Sequence, residues 1–320
     1  MFRSIEKLLP ELQGDVADQY TYVKDLGEGG FGKVTLVRKV ADGREVALKE
    51  VMVDSGDPDA KNLMRMLKYE IRAQRILTEA SAGCRDYLVC LEDAFYRKND
   101  TGTIIVIYMV LTYMPRPLGY YSTHRPMMKE LLTKAVRSLA FIHKNGILHR
   151  DIKPSNMYYD QVTSTVRFGD FGLSCAVDKC GKKEAHCRTM AAFLDPHHLM
   201  RGGTVTSAAS DVYSLGATFY KLYFGESYYT NWLLKERDFA NRYAQFSNMI
   251  SDRKLNDDVV VNCIYKMMNP TPDFRARLAD VDAALTSHKG GGSRSNGSRS
   301  NRSRSNRSRL RAANKSRQHA

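Results

Sequence analysis

The 320-residue chain has one tryptophan, nine prolines and little unbroken hydrophobicity. Its longest apolar run, Ile104 to Leu111, is far short of the ~18 residues that a membrane-spanning helix needs. Arg3, Glu6 and Lys7 stand where a secretory leader would be apolar. Six cysteines, Cys84, Cys90, Cys175, Cys180, Cys187 and Cys263, are sparse for a chain of this length and read as reduced thiols rather than a disulfide framework. These absences point to a soluble intracellular protein, cytoplasmic or nuclear.

Acidic residues are missing from one stretch altogether. Residues 289–320 hold ten Lys and Arg with no Asp or Glu, so of the net charge of +14 only +4 belongs to residues 1–288. The stretch opens on Gly290-Gly291-Gly292 and runs through Ser-Arg repeats that have no apolar side chains to bury, the composition of a disordered tail. Such a tail suits contact with nucleic-acid phosphates or an acidic surface, but its lack of interleaved aromatics argues against base stacking. At the other end, Phe2, Ile5, Leu8, Leu9 and Leu12 recur at helical spacing, interrupted by Pro10 and Gly14, as in a short helix docked on the body.

Between these ends the chain alternates recognisable units. Tyr22 to Val51 reads as three strands, and its first turn is Gly27-Glu28-Gly29-Gly30-Phe31-Gly32-Lys33-Val34. Glycines let backbone approach phosphate groups without a Cβ in the way. A dinucleotide-binding turn shares the spacing but runs straight into a helix, whereas here Val34, Leu36 and Val37 continue a strand. Val46-Ala47-Leu48-Lys49 follows. A helix over about Asp59 to Ala80 offers Glu70, with Glu79 as the second choice, as an acidic partner for Lys49. Leu88 to Phe95 and Thr103 to Thr112 form a hairpin around Asn99-Asp100-Thr101-Gly102. Met128, Leu131, Leu132, Ala135, Leu139 and Ile142 then give a buried amphipathic helix that stops at Asn145-Gly146.

That helix leads into His149-Arg150-Asp151-Ile152-Lys153-Pro154-Ser155-Asn156, with Gly169-Asp170-Phe171-Gly172 close behind. With the glycine turn and Val46 to Lys49, these motifs resemble those of the eukaryotic-type protein kinases, in their serine/threonine-specific form, over about residues 20–288. The resemblance implies an α+β, bilobal fold: an N-terminal extension over 1–19, a small β-rich lobe with one helix over about 20–114, a larger mainly helical lobe over about 115–288, and the tail over 289–320. It also implies ATP with Mg²⁺, Mn²⁺ being an alternative, and Ser/Thr protein substrates. Leu26, Gly27, Gly29, Gly32, Val34 and Ala47 would enclose ATP, with Leu111, Thr112 and Met114 at the hinge. Lys49, held by Glu70, would meet its phosphates. Asp151 would accept the hydroxyl proton, Lys153 would meet the transferring phosphate, and Asn156 and Asp170 would hold metal. Asp211, in Ser210-Asp211-Val212-Tyr213-Ser214-Leu215-Gly216, would brace the loop from below. Arg150 implies activation by a phosphate, for which Thr189 is the chosen acceptor and Ser174 the other hydroxyl. The readings that compete with an active enzyme are a catalytically weak nucleotide-binding scaffold and a nucleic-acid-associated protein working through its tail.

Some positions depart from the family. Gln74 stands four residues after Glu70, where an apolar side chain is usual. Met190 and His197 occupy the usual Thr and Glu positions of the activation segment, so the ion pair that such a Glu makes with an Arg such as Arg275 is missing or replaced. Lys221 removes an acidic residue that would favour basic substrates. Cys175, Cys180, His186 and Cys187 fall close together, but their spacing suits plain thiols better than a zinc site or a redox disulfide.

Overall fold

A computed structural model describes residues 2–29, 32–80, 83–178, 180, 191–196, 207–228 and 239–287. Residues 1–288 form one compact unit, and residues 289–320 are a separate one.

The small lobe is built on strands β1 (Tyr20–Gly29), β2 (Gly32–Lys39), β3 (Glu45–Asp54), β4 (Leu91–Lys98) and β5 (Ile104–Thr112). They form an antiparallel sheet in the order β1-β2-β3-β5-β4. The β1–β2 turn depends on Gly32, whose φ is 110°. A Cβ there would lie 2.1 Å from the Glu50 carbonyl, so only glycine lets β2 approach β3 so closely. On β3, Val51 and Val53 pack in a cluster with Met64, Leu67 and Ile71 of helix α2 (Ala60–Glu79), while Val46 and Leu48 belong to another with Tyr20, Phe95 and Tyr108. This period of two along the strand gives the sheet two buried faces. The short helix α1 (Arg3–Glu6) joins the cluster around α2 through Phe2 and Ile5.

The larger lobe surrounds α3 (Arg125–Lys144), α4 (Ala208–Phe224), α5 (Phe239–Asp252), α6 (Val259–Met267) and α7 (Leu278–Ser287). Met128, Leu131, Leu132, Ala135, Leu139 and Ile142 of α3 are fully buried, the stripe expected from their spacing, and the helix ends at Asn145 with Gly146 left-handed at φ 73°. In α4, a Cβ on Gly216 would come within 2.7 Å of Met268, so this glycine sets the close approach of α4 to the end of α6. Two small antiparallel pairs complete the lobe: β6 (Ile147–Leu148) with β9 (Cys175–Ala176), and the hairpin of β7 (Met157–Asp160) with β8 (Thr165–Phe168). The fold is the α+β, bilobal arrangement of a β-rich lobe with one long helix and a mainly helical lobe.

The cysteines correct the sequence reading. Cys84 pairs with Cys90 and Cys175 with Cys180, across Cα separations of 6.3 and 5.6 Å, within the span of ordinary disulfides. Composition and compartment say nothing about such local separations. Cys263 is a free, buried thiol, pushed up to about 11 by burial. Cys187 and His186 lie outside the described residues. Among the described residues, no helix is long and apolar enough to cross a membrane.

Candidate active site

Strand β3 is buried at Ala47, Leu48 and Lys49, which puts a lysine ammonium inside the small lobe, where it must find charge. Helix α2 answers with Glu70, whose Oε1 accepts from Lys49 Nζ at 2.6 Å, and Glu79 stays exposed. Burial alone would lower the Lys49 pKa, but Glu70 and Asp170 outweigh it and hold it above its ordinary value. Burial pushes Glu70 up despite the lysine beside it. The Asp170 Oδ1 lies 3.7 Å from the same ammonium, with 40% of its side chain exposed. Burial tends to raise Asp170 as well, and Lys49 and His149 reverse the direction, keeping it below the ordinary carboxylate value.

The loops after β6 and β8 are held in strained shapes. Arg150 and Asp170 both have positive φ, 68° and 60°, a region that side chains other than glycine's rarely adopt. Asp211, on the first turn of α4, supports the first of them: its Oδ2 accepts from the His149 amide at 2.8 Å and its Oδ1 from the Arg150 amide at 2.9 Å. His143 Nε2 also lies 2.8 Å from Oδ2. Burial would raise Asp211, but the hydrogen bond and charge of His143 prevail and hold it low. His149 is itself fully buried and its pKa is lowered, burial outweighing nearby carboxylates. Its neutral ring fits both contacts: Nδ1 accepts from the Asp151 amide at 3.3 Å, leaving Nε2 to donate to the Gly169 carbonyl at 3.1 Å. The imidazole therefore ties the loop of Asp151 to the loop of Asp170.

Asp151 is only 4% exposed. Its Oδ2 accepts from Lys153 Nζ at 2.8 Å and from Asn156 Nδ2 at 2.9 Å, while its Oδ1 is buried without a hydrogen-bond partner. A buried carboxylate oxygen left open in this way is an acceptor waiting for a donor. The Asn156 amide group is spent on Asp151, through both its carbonyl and its carboxylate. Its own oxygen has only a long contact with Ser155 Oγ, at 3.5 Å.

A cleft of about 660 Å³ runs between the lobes, lined by Lys49, Glu70, Asp151, Lys153, Asn156 and Asp170 on the polar side. Leu26, Gly27, Gly32, Val34 and Ala47 line it from the sheet, and Leu111, Thr112 and Met114 from the segment joining the lobes. Gly29 pairs with Gly32 across the β1–β2 turn. A family model described as "Protein kinase domain" matches residues 20–282. The chain belongs to that family. Among its relatives are Cyclin-dependent kinase B2-1 of rice (Oryza sativa subsp. japonica), 31% identical over 214 residues, and its namesake in Arabidopsis thaliana, 31% over 215. Each match takes in 64% of this chain, and 63% and 65% of those proteins respectively. Serine/threonine-protein kinase PknB of Mycobacterium tuberculosis is 30% identical over 222 residues, 67% of this chain and 34% of PknB. The chain thus spans less than two thirds of each of these kinases.

The kinase cleft also contains side chains that the motifs did not single out. Val89, Tyr158 and Leu173 line it, and a Cβ on Gly169 would meet both Tyr158 and Val89 at 3.2 Å. Tyr158 was within reach of sequence reading, since it alternates with the buried Met157 and Tyr159 two residues past Asn156. The ion pair left open at the end of the activation segment is made by a different residue from the one expected. Arg275 forms a two-pronged bond to Asp195, at 2.6 and 2.7 Å, with both side chains 1% exposed. Ser210 Oγ also donates to Asp195, at 2.9 Å. Thr189, Met190 and His197 lie outside the described residues. Ser174, the other hydroxyl, is buried and donates to the Phe171 carbonyl at 2.7 Å.

Family membership implies ATP and a divalent metal, and the donor chemistry fits. Asp170 and Asn156 offer a carboxylate and an amide oxygen, hard ligands suited to such an ion. Among the described residues no three His, Cys, Asp or Glu side chains are grouped to hold a metal by themselves.

Proposed function

We propose that this chain is an ATP-dependent protein kinase that transfers the γ-phosphoryl group to Ser or Thr hydroxyls of protein substrates, using Mg²⁺. The observation that carries the reading is the open Oδ1 of Asp151, buried beside Lys153 and Asn156 at the polar end of the cleft. A substrate hydroxyl donating to it would be oriented for in-line attack, its proton taken up by the carboxylate as its oxygen bonds to the γ-phosphorus and the bond from that phosphorus to the β-phosphate oxygen breaks, with ADP leaving with the electron pair. Lys153, whose ammonium neutralises the other carboxylate oxygen, would face the transferring group. Lys49, kept charged by Glu70 and Asp170, would hold the α and β phosphates. Asp170 and Asn156 would hold the metal, which when bound neutralises charge on the phosphate oxygens. The apolar walls, Leu26, Val34, Ala47 and Leu111, suit an adenine ring, and the backbone at Thr112 to Met114 suits its polar edge.

The scaffold and nucleic-acid readings are not favoured, since the charged groups that transfer requires converge on one cleft. Ser/Thr specificity draws support from Lys153 and from the named relatives. Lys221, its ammonium 5.7 Å from the Phe193 ring, gives no negative charge for a basic substrate. Incubating the protein with Mg-ATP labelled on the γ-phosphate and a mixed protein substrate, then analysing phosphoamino acids, should yield phosphoserine and phosphothreonine. Phosphotyrosine alone, or no transfer, would overturn the assignment.

A further inference from the structure

The Lys49–Glu70 contact joins two bodies of the small lobe: the sheet that carries the lysine and the helix that carries the glutamate. Residues 2–12 lie across both. On the helix side, Phe2, Ile5 and Leu9 are buried in a cluster with Met64, Leu67 and Ile71 of α2, and Ile5 is fully inaccessible. Lys68 Nζ donates to Ser4 Oγ at 3.0 Å, and Arg75 donates to the Leu8 carbonyl at 3.1 Å. These two anchors are two helical turns apart and bracket Glu70. On the sheet side, the Tyr96 amide donates to the Pro10 carbonyl at 3.1 Å, and the Leu12 amide donates to the Tyr96 carbonyl at 2.8 Å. Glu11 forms a parallel bridge with Tyr96 of β4, and Lys98 of β4 pairs with Glu6 at 2.7 Å. A four-residue helix and a short extended stretch gain little stability of their own, so their order comes from these contacts.

We propose that residues 2–12 act as a built-in strap that pins α2 to the sheet and so sets the Lys49–Glu70 pairing, with Ile5 as its central positioning residue. Alone, α2 meets the sheet through one apolar face, and the pairing couples a buried cation to a buried anion that each need the other in register. The strap adds an apolar plug at the seam and polar anchors on both sides of it. Releasing it lets α2 move out, which separates Glu70 from Lys49 and lowers the fraction of molecules with a competent cleft. If that fraction falls to a tenth, transfer falls about tenfold. The consequence for transfer rests on the kinase reading above; the restraint on α2 does not.

Two readouts on the full chain test this: hydrogen exchange of the α2 amides and kcat for γ-phosphate transfer, in wild type, Ile5→Asp, Ile5→Val, Glu70→Gln and the Ile5→Asp/Glu70→Gln double variant. Ile5→Asp should speed α2 exchange about tenfold or more, leave α3 and α4 protected and lower kcat about tenfold, while Ile5→Val restores wild-type behaviour. In the Glu70→Gln background, Ile5→Asp should cost less than about twofold in kcat, because the strap acts through that glutamate. Unchanged α2 protection, or the full loss repeated without Glu70, would overturn the strap. A wild type that transfers no phosphate would overturn the kinase reading alone, and exchange would still decide the strap. If Ile5→Asp fails to fold, Arg75→Gln, which removes only the bond to Leu8, must speed α2 exchange for the proposal to stand.

Discussion

Two buried side chains carry the clearest consequences at the scale of the residue. Gln74 is 1% exposed and its Oε1 has no hydrogen-bond partner, a desolvation cost of about 1–3 kcal/mol. Gln74→Leu should therefore raise the melting temperature by a few degrees in calorimetry, and an unchanged or lower value would show that the amide is satisfied in solution. His149 gives a pH dependence. Its folded pKa lies below its ordinary value of 6.5, so the unfolded chain takes up a proton that the folded chain refuses. Its contribution to stability is complete above 6.5 and is lost as pH falls through 6.5 toward the folded value. Denaturation between pH 7 and 5 should thus grow easier in wild type and lose that part of its slope in His149→Phe. Asp211 acts lower down, its contribution being present above 3.8 and lost as pH falls through its depressed folded value.

The elements differ in how far the sequence disclosed them. Helix α3 and strand β3 were legible because their spacing follows from which face must be buried, and Lys49, Asp151, Asn156 and Asp170 drew notice because their motifs hold such residue types at fixed offsets. The end of the activation segment was not. The family pattern pointed at His197, whereas the carboxylate beside Arg275 belongs to Asp195, two residues earlier, and only the path of the chain reveals that. Val89 was also missed, since an apolar side chain before a strand looks the same whether it faces a core or a cleft. The disulfide partners needed distances that no spacing supplies. The Asp195 pairing makes a prediction of its own. Removing one partner of a buried ion pair leaves the other uncompensated, so Asp195→Asn should cost about 3–5 kcal/mol in chemical denaturation. A loss under about 1 kcal/mol would mean that Arg275 finds other partners.

At the scale of the whole molecule, a mildly charged kinase-family domain is joined to a strongly basic C-terminal stretch, and the two form separate units. Ending the chain at residue 288 should leave the melting temperature and phosphate transfer unchanged, while abolishing the salt-sensitive part of any binding to polyanions. A drop in transfer on removing the tail would show instead that it serves the cleft. The central claim is that the open oxygen of Asp151 receives the substrate hydroxyl, and the measurement that tests it most directly is γ-phosphate transfer by Asp151→Asn beside its affinity for Mg-ATP. The account predicts a loss in kcat of about 10² to 10⁴, the ordinary range for a positioned acceptor, with nucleotide affinity within about threefold of wild type. Transfer that survives the substitution at the wild-type rate would contradict it.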